Sequence, residues 1–283
     1  MEEYMLSKIL ALCVFLSGVS AFAFPFPPAP YQQSSQQFAT NYHFDGIVAL
    51  SNCSGSIIQF EGAKPTDQAI ILTNGHCYEG GMPSPGEIIY HHKSNVRFEV
   101  LDDHSNGIGT LHAEEVIYAT MTKTDMSLYR VKETYQFIEQ KWGAHTLILS
   151  SKHPKANTPI EVISGYWHRG YSCKIDGFAY QLNEGGWKFD DSIRYSKPGC
   201  EIIGGTSGSP IIEAGTRNVI GVNNTMNEGG RTCSQNNPCE IDHIGKMSNQ
   251  KGNGYGQQTY WIYSCLNASL EFDLKTPGCV LPQ

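Results

Sequence analysis

The stretch "EIIGGTSGSPII", residues 201–212, places Ser207 between a Gly-Thr pair and another glycine, with β-branched runs on both sides. Taken alone it is either a nucleophile on a tight turn or a Gly/Ser turn joining two strands. A serine hydroxyl is a poor nucleophile until a neighbouring base takes its proton. A histidine serves as that base when a carboxylate holds its other ring nitrogen in the right tautomer. The remainder of the chain must therefore supply a histidine and an acid.

The chain has 283 residues, enough for one large or two medium domains with a sizeable core. Its 29 glycines and 14 prolines mean frequent turns. Charged residues make up only 17%, too few for a coiled coil or a disordered tail. A net charge of −7 argues against a nucleic-acid partner. There is no fixed-period repeat and no long run of like charge.

The run "KILALCVFLSGVSAFA" (8–23) is apolar behind Lys8 and ends in an A-x-A pattern. It reads as an export signal over 1–23, too short for a membrane span. The expectation is a secreted protein, extracellular or periplasmic, with no membrane attachment after cleavage. Cys13 makes a poor lipid-anchor site, because Leu12 precedes it and most of the apolar run follows it. "FPFPPAPYQQSSQQ" (24–37) is rich in Pro and Gln and reads as part of an unstructured leader over 24–41.

Loss of Cys13 leaves an even set: Cys53, Cys77, Cys173, Cys200, Cys233, Cys239, Cys265 and Cys279. In an exported chain that reads as disulfides. Zinc sites favour tight C-x2-C pairs, which are absent, as is any H-E-x-x-H. No metal is expected.

Segments 46–60, 69–77, 97–103 and 126–131 read as strands from their β-branched and aromatic content. "TYQFIEQKWG" (134–143) is the one helix candidate, and "SSKHPKANTP" (150–159) is turn-rich. Strands return in "IEVISGYW", "FAYQL", "SGSPIIEA" and "RNVIGVNN". Two β-rich halves around a connection predict two barrels or sandwiches.

Three segments then fall into place. "LTNGHC" puts His76 at a strand end, "KTDMSLYRV" puts Asp125 at the head of an apolar strand, and "GGTSGSP" carries Ser207. The order His–Asp–Ser differs from the Ser–acid–His of α/β-hydrolases and the Asp–His–Ser of subtilisins. An α/β-hydrolase elbow also needs glycine two residues after the serine, where this chain has Ser209.

At these segments the sequence resembles the trypsin/chymotrypsin-like serine proteases, in their secreted bacterial branch, over roughly 42–283. The resemblance implies an all-β fold of two antiparallel six-stranded β-barrels with the active site in the cleft between them. It implies an N-terminal barrel over 42–131, an inter-barrel connection over 132–157, and a C-terminal barrel with a disulfide-bonded tail over 158–283. It further implies a serine endopeptidase acting on protein or peptide substrates through an acyl-enzyme, with no cofactor, as a monomer. Ser207 would be the nucleophile, His76 the general base and then acid, and Asp125 the orienting carboxylate. The amides of Gly205 and Ser207 would form the oxyanion hole. Cys53–Cys77 would be the bridge that holds the histidine loop. Cys233–Cys239 reads as a local bridge, and Cys173–Cys200 and Cys265–Cys279 follow from sequence proximity.

Glu201, six residues before Ser207, falls where trypsins place the acid at the base of their specificity pocket. Glu201, Asn223 and Asn224 are therefore the candidate substrate-binding residues. Several positions depart from the family pattern. Thr206 stands where animal trypsins carry an aspartate. The run Gly221-Val222-Asn223 lacks the histidine of glutamyl endopeptidases. The tail lacks the terminal-helix pattern, and no Ile-Val-Gly-Gly start occurs. Removal of the signal is therefore expected to suffice for activation, with the oxyanion turn held by local bonds through Thr206 or Ser209. An inactive relative that binds proteins through the cleft, and an esterase using the same three residues, are the alternatives in other classes.

Overall fold

A computed structural model describes residues 42–283. The signal and leader assigned over 1–41 lie outside the described residues.

The first half forms β1 (Ile47–Ala49), β2 (Ser54–Gln59), β3 (Gln68–Thr73), β4 (Ile88–Lys93), β5 (Arg97–Leu101), β6 (Gly107–Thr120) and β7 (Met126–Thr134). The order β1-β5-β6-β7-β3-β2 closes on itself through the β1–β2 pairing, a six-stranded antiparallel ring, with β4 added outside on β6. Helix α1 (Tyr135–Trp142) follows. Its N-terminus is capped by Thr134, whose side chain accepts from the Phe137 amide, and Gly143 ends it at φ +67°.

The second half holds β9 (Pro159–Ser164), β10 (Arg169–Glu184), β11 (Trp187–Tyr195), β12 (Pro210–Glu213), β13 (Asn218–Met226), the short β14 (Cys239–Ile241) and β15 (Met247–Ser248), and β16 (Gly254–Gln258). The order β13-β12-β9-β10-β11-β16 closes through β13–β16 into a second six-stranded antiparallel ring. The expected all-β, chymotrypsin-like architecture is the one observed. Between the rings lies β8 (Leu147–Leu149), which runs parallel to β2 on one side and to β13 on the other.

The apolar runs in the sequence follow from this arrangement. In β3, Ala69 and Ile71 face the core of the first ring, with Phe98, Val100 and Tyr129. Ile70 and Leu72 face the opposite way, into a second cluster with Leu147, Leu149, Ile212 and Val222 that fills the seam between the rings. A strand covered on both faces has no reason to alternate. Ile57 and Ile58 in β2 divide in the same way. The second ring has its own core around Val162, Tyr171, Ile193 and Ile211.

Three sequence expectations are adjusted. The strand read over 46–60 is broken into β1 and β2 by a turn in which the Leu50 amide donates to Cys53 O. The strand read over 69–77 ends at Thr73, and a 3-10 turn, Gly75–Cys77, carries His76. The strand read over 126–131 continues to Thr134 as β7. The tail forms a 3-10 helix, Tyr260–Cys265.

Candidate active site

The turn after β3 and the head of β7 meet at one carboxylate. Asp125 has no solvent exposure. Its Oδ2 lies 2.7 Å from His76 Nδ1, and its Oδ1 accepts from the His76 backbone amide at 3.0 Å. Both oxygens are thus spent on one residue, which fixes the ring and its backbone together. Burial by itself depresses the imidazole's pKa. The charge and hydrogen bond of Asp125 outweigh that, Glu184 adds to them, and the net effect is a pKa above the ordinary 6.5. The Cys53–Cys77 disulfide ties the turn to the start of β2.

Ser207 sits on the turn between Ile203 and β12. Thr206, 1% exposed, donates through both its amide and its hydroxyl to Ile203 O. The Ser209 amide returns to Thr206 O at 3.1 Å. Asn223 donates from Nδ2 to Thr206 O at 2.9 Å, and its Oδ1 accepts from Tyr195 Oη at 2.9 Å. Thr206 thus holds the turn through local bonds. The Ser209 hydroxyl is buried and makes no bond to another described residue. Gly208, at φ +78°, must be glycine: a Cβ there would lie 2.1 Å from both Ser54 O and Thr73 Oγ1. Gly205 adopts φ +88°. Among the described residues no backbone carbonyl or side chain accepts from the amides of Gly205 and Ser207. The Ser207 hydroxyl donates to Asn224 O at 3.4 Å, not to His76.

One buried side chain connects the Asp125 and Ser207 segments. Asn74, with no exposure, donates from Nδ2 to Asp125 O at 2.8 Å and accepts at Oδ1 from the Gly208 amide at 2.6 Å. Ser127 Oγ donates to Asn74 O at 2.8 Å. The Ser54 amide adds a further link, donating to Ser207 O at 2.7 Å.

His76, Asp125, Ser207 and Asn224 all line one cavity of ≈ 140 Å³. So do Ile202 and Ile203 on the approach to Ser207, and Glu184 and Trp187 from the β10–β11 hairpin. Glu184 is 8% exposed, and its Oε1 accepts from the Asn236 amide at 2.7 Å. Burial pushes its pKa up, against the Thr225 hydroxyl, the Asn236 amide and the charge of His76.

The candidate substrate-binding residues divide. Asn224 lines the cavity and its Nδ2 is buried without a protein partner. Asn223 is fully buried with its side-chain amide committed to Thr206 and Tyr195. Glu201 is exposed and outside the cavity, because its neighbour Ile202 is the residue packed inward. The cysteines pair as Cys53–Cys77, Cys173–Cys200, Cys233–Cys239 and Cys265–Cys279. Cys53, His76 and Cys77 are grouped closely enough for a metal, but the two sulfurs are bonded to each other and offer no thiolate.

Sequence reasoning missed Asn74, Glu184 and Trp187. Asn74 had a signal: asparagine is rare at the end of an apolar strand, and one there needs partners for its amide. Glu184 had none, since an acid before Gly-Gly reads as an ordinary hairpin tip.

A family model described as a trypsin-like peptidase domain matches residues 53–222. Solved structures similar to this chain include the protease Rv3671c of M. tuberculosis in its active form, at 13% identity over 93% of this chain and 97% of that one, with a TM-score of 0.49. The MamO protease domain of Magnetospirillum magneticum aligns at 13% identity over 81% and 99%, with a TM-score of 0.48. A Nocardiopsis protease aligns at 12% identity over 75% and 89%, with a TM-score of 0.44. No curated protein sequence matches the chain.

Proposed function

This chain belongs to the trypsin-like peptidase family, and on that premise we propose that it is a secreted serine endopeptidase working through His76, Asp125 and Ser207. The observation that carries the reading is the double attachment of His76 to the buried Asp125, through ring Nδ1 and backbone amide, in a cavity that Ser207 also lines.

The Nδ1–H to Asp125 bond leaves Nε2 as the basic nitrogen. Rotation of the Ser207 hydroxyl away from Asn224 O directs its proton to that nitrogen as the oxygen attacks a peptide carbonyl. The amides of Gly205 and Ser207 take the developing oxyanion. Donors of this kind are each worth roughly 3–4 kcal/mol of barrier. His76 then passes its proton to the leaving amine, and Ser207 is left acylated. Water, deprotonated by His76, releases the acid product. Side chains and backbone amides supply every step, so no cofactor is called for. The protein acts as a monomer on protein or peptide substrates, and its two rings are two barrels with the working cleft between them.

Export is supported by the apolar signal-like run over 8–23 and by four disulfides, which persist in oxidising compartments. Among the described residues no helix is long and apolar enough to cross a membrane.

A fluorophosphonate probe tests the reading together with a peptide library. Labelling at Ser207 and cleavage within peptides are expected. A wild-type protein that is folded, unlabelled and inert on peptides would refute it.

A further inference from the structure

The cavity beside His76 carries an excess of negative charge that the proposed chemistry does not use. Its charged and titratable lining groups are His76, Asp125, Glu184 and Glu228, with no lysine or arginine among the described residues. Asp125 is committed to His76. Among the described residues Glu184 forms no ion pair, although it and His76 act on each other through their charges. It is the last residue of β10, turned inward ahead of a Gly185-Gly186 turn, and it is 8% exposed. Its protein donors are the Asn236 amide and the Thr225 hydroxyl. A carboxylate has about four acceptor positions, so capacity remains.

We propose that Glu184 receives a cationic side chain, lysine or arginine, of the peptide substrate in a subsite beside His76. The proposal rests on the serine-peptidase reading above. A buried carboxylate without a countercharge is costly, and a substrate ammonium or guanidinium supplies that charge in a charge-assisted bond. The wall of the subsite suits such a side chain. Trp187 lines the same cavity, and its Nε1–H donates to Pro83 O at 2.8 Å, which fixes the ring. An indole face accepts an alkyl stem and the cation it carries. Ile202, Ile203 and Met226 line the cavity without any charge. The acid that reads a basic residue is therefore Glu184, on the β10–β11 hairpin, and not Glu201.

A purely structural role for Glu184 is the rival, since its Oε1 anchors Asn236 in the loop before β14. Glu184→Gln separates the two, because glutamine keeps an acceptor for the Asn236 amide and loses the charge. Wild-type and Glu184→Gln proteins are compared on peptides in which Lys, Arg, Gln and Leu are rotated through each position around the cleaved bond. At one position the wild-type ratio of kcat/KM for Lys or Arg over Gln should be at least tenfold. In Glu184→Gln that ratio should fall at least tenfold. A wild-type protein that cleaves peptides with no cation preference at any position overturns the proposal, as does a preference retained in Glu184→Gln. Should the variant not fold, the same ratio is followed in the wild type from pH 8 down to pH 4.5. Protonation of His76 cancels in the ratio, and kcat/KM reports the free enzyme's groups. The ratio should fall as Glu184 protonates, and a flat ratio overturns the proposal. A protein that takes no fluorophosphonate and cleaves no peptide refutes the peptidase reading instead.

Discussion

The Gly208 amide donates to the side-chain oxygen of Asn74 at 2.6 Å, across 134 positions of sequence. The same asparagine holds the Asp125 carbonyl, so one buried amide ties the Asp125 segment to the Ser207 turn. Asn74→Ala removes both bonds: the Gly208 amide keeps Asn223 O at 3.0 Å, but the Asp125 carbonyl loses its side-chain donor, at a cost of about 1–3 kcal/mol. Displacing the reacting groups by about 1 Å costs about a hundredfold in rate. Turnover should therefore fall by about that factor, with KM little changed. Asn74→Asp keeps the acceptor for Gly208 but sets a buried carboxylate oxygen against the Asp125 carbonyl, and should recover none of the loss. Steady-state kinetics on one peptide with the two variants check this.

Ser207→Ala should abolish peptide cleavage while the protein stays folded, because the hydroxyl makes a single 3.4 Å bond. Members of such a set act as one unit, so the loss approaches about a million-fold in turnover, and His76→Ala should lose a similar amount. Circular dichroism with active-site titration checks both. More than a few per cent residual activity in Ser207→Ala would remove it as nucleophile.

The acid limb of kcat/KM on an uncharged peptide should show an apparent pKa above 6.5, since Asp125 and Glu184 outweigh burial in raising His76. The neutral imidazole, which accepts the proton, dominates only above that value. The sign for stability is opposite: a raised histidine stabilises the fold at pH below its unfolded value, and loses that contribution as pH rises through the folded one. Asp125→Asn should cost about 10⁴ in turnover. Its Oδ1 would still be needed by the His76 amide, so its NH2 would face Nδ1 and force the wrong tautomer. A pH–rate profile flat from pH 5 to 8, with chemistry limiting, would contradict this account.

Cys53 and Cys77 close a loop with a sequence separation of 24. By the chain-entropy estimate the bridge is worth about 3–4 kcal/mol. For a chain of this size that is a Tm lower by about 10 °C in the double alanine variant. Calorimetry reads the shift. An unchanged Tm would mean that the histidine turn is held by packing alone.

The turn around Thr206 closes on Ile203 O and Asn223 Nδ2, and threonine offers no charge to pair with an amine. Residues 24–283, expressed with one additional blocked N-terminal residue, should titrate to full active sites as made. A protein inactive until cut within 24–50 would show that a zymogen switch exists by another route.

The reach of the sequence was uneven for physical reasons. His76, Asp125 and Ser207 stood out because each is a reactive residue beside a strand with an unmistakable apolar run. Strand β6, with its glycines and charges, was invisible because its pairing partners β4, β5 and β7 decide its state, not its own propensity. Glu201, counted six residues before Ser207, is exposed and does not line the cavity. Such counting assumes a fixed loop path, and here Ile202 takes the inward position. Glu184 enters the cleft from a hairpin far along the chain, and only the folded rings bring it beside His76.

Strand β8 hydrogen-bonds to β2 through Leu147 and Ile148, and to β13 through Ile148 and Leu149. Three residues thus stitch the two rings into a single ladder, and the peptide connection over 150–158 is not what keeps them together. A chain severed within that loop should remain one particle, its halves associated as a non-covalent heterodimer with the seam cluster intact, as gel filtration of the nicked protein would show. The geometry of the cleft should survive loss of the backbone link, because strand pairing joins the rings on both sides of β8.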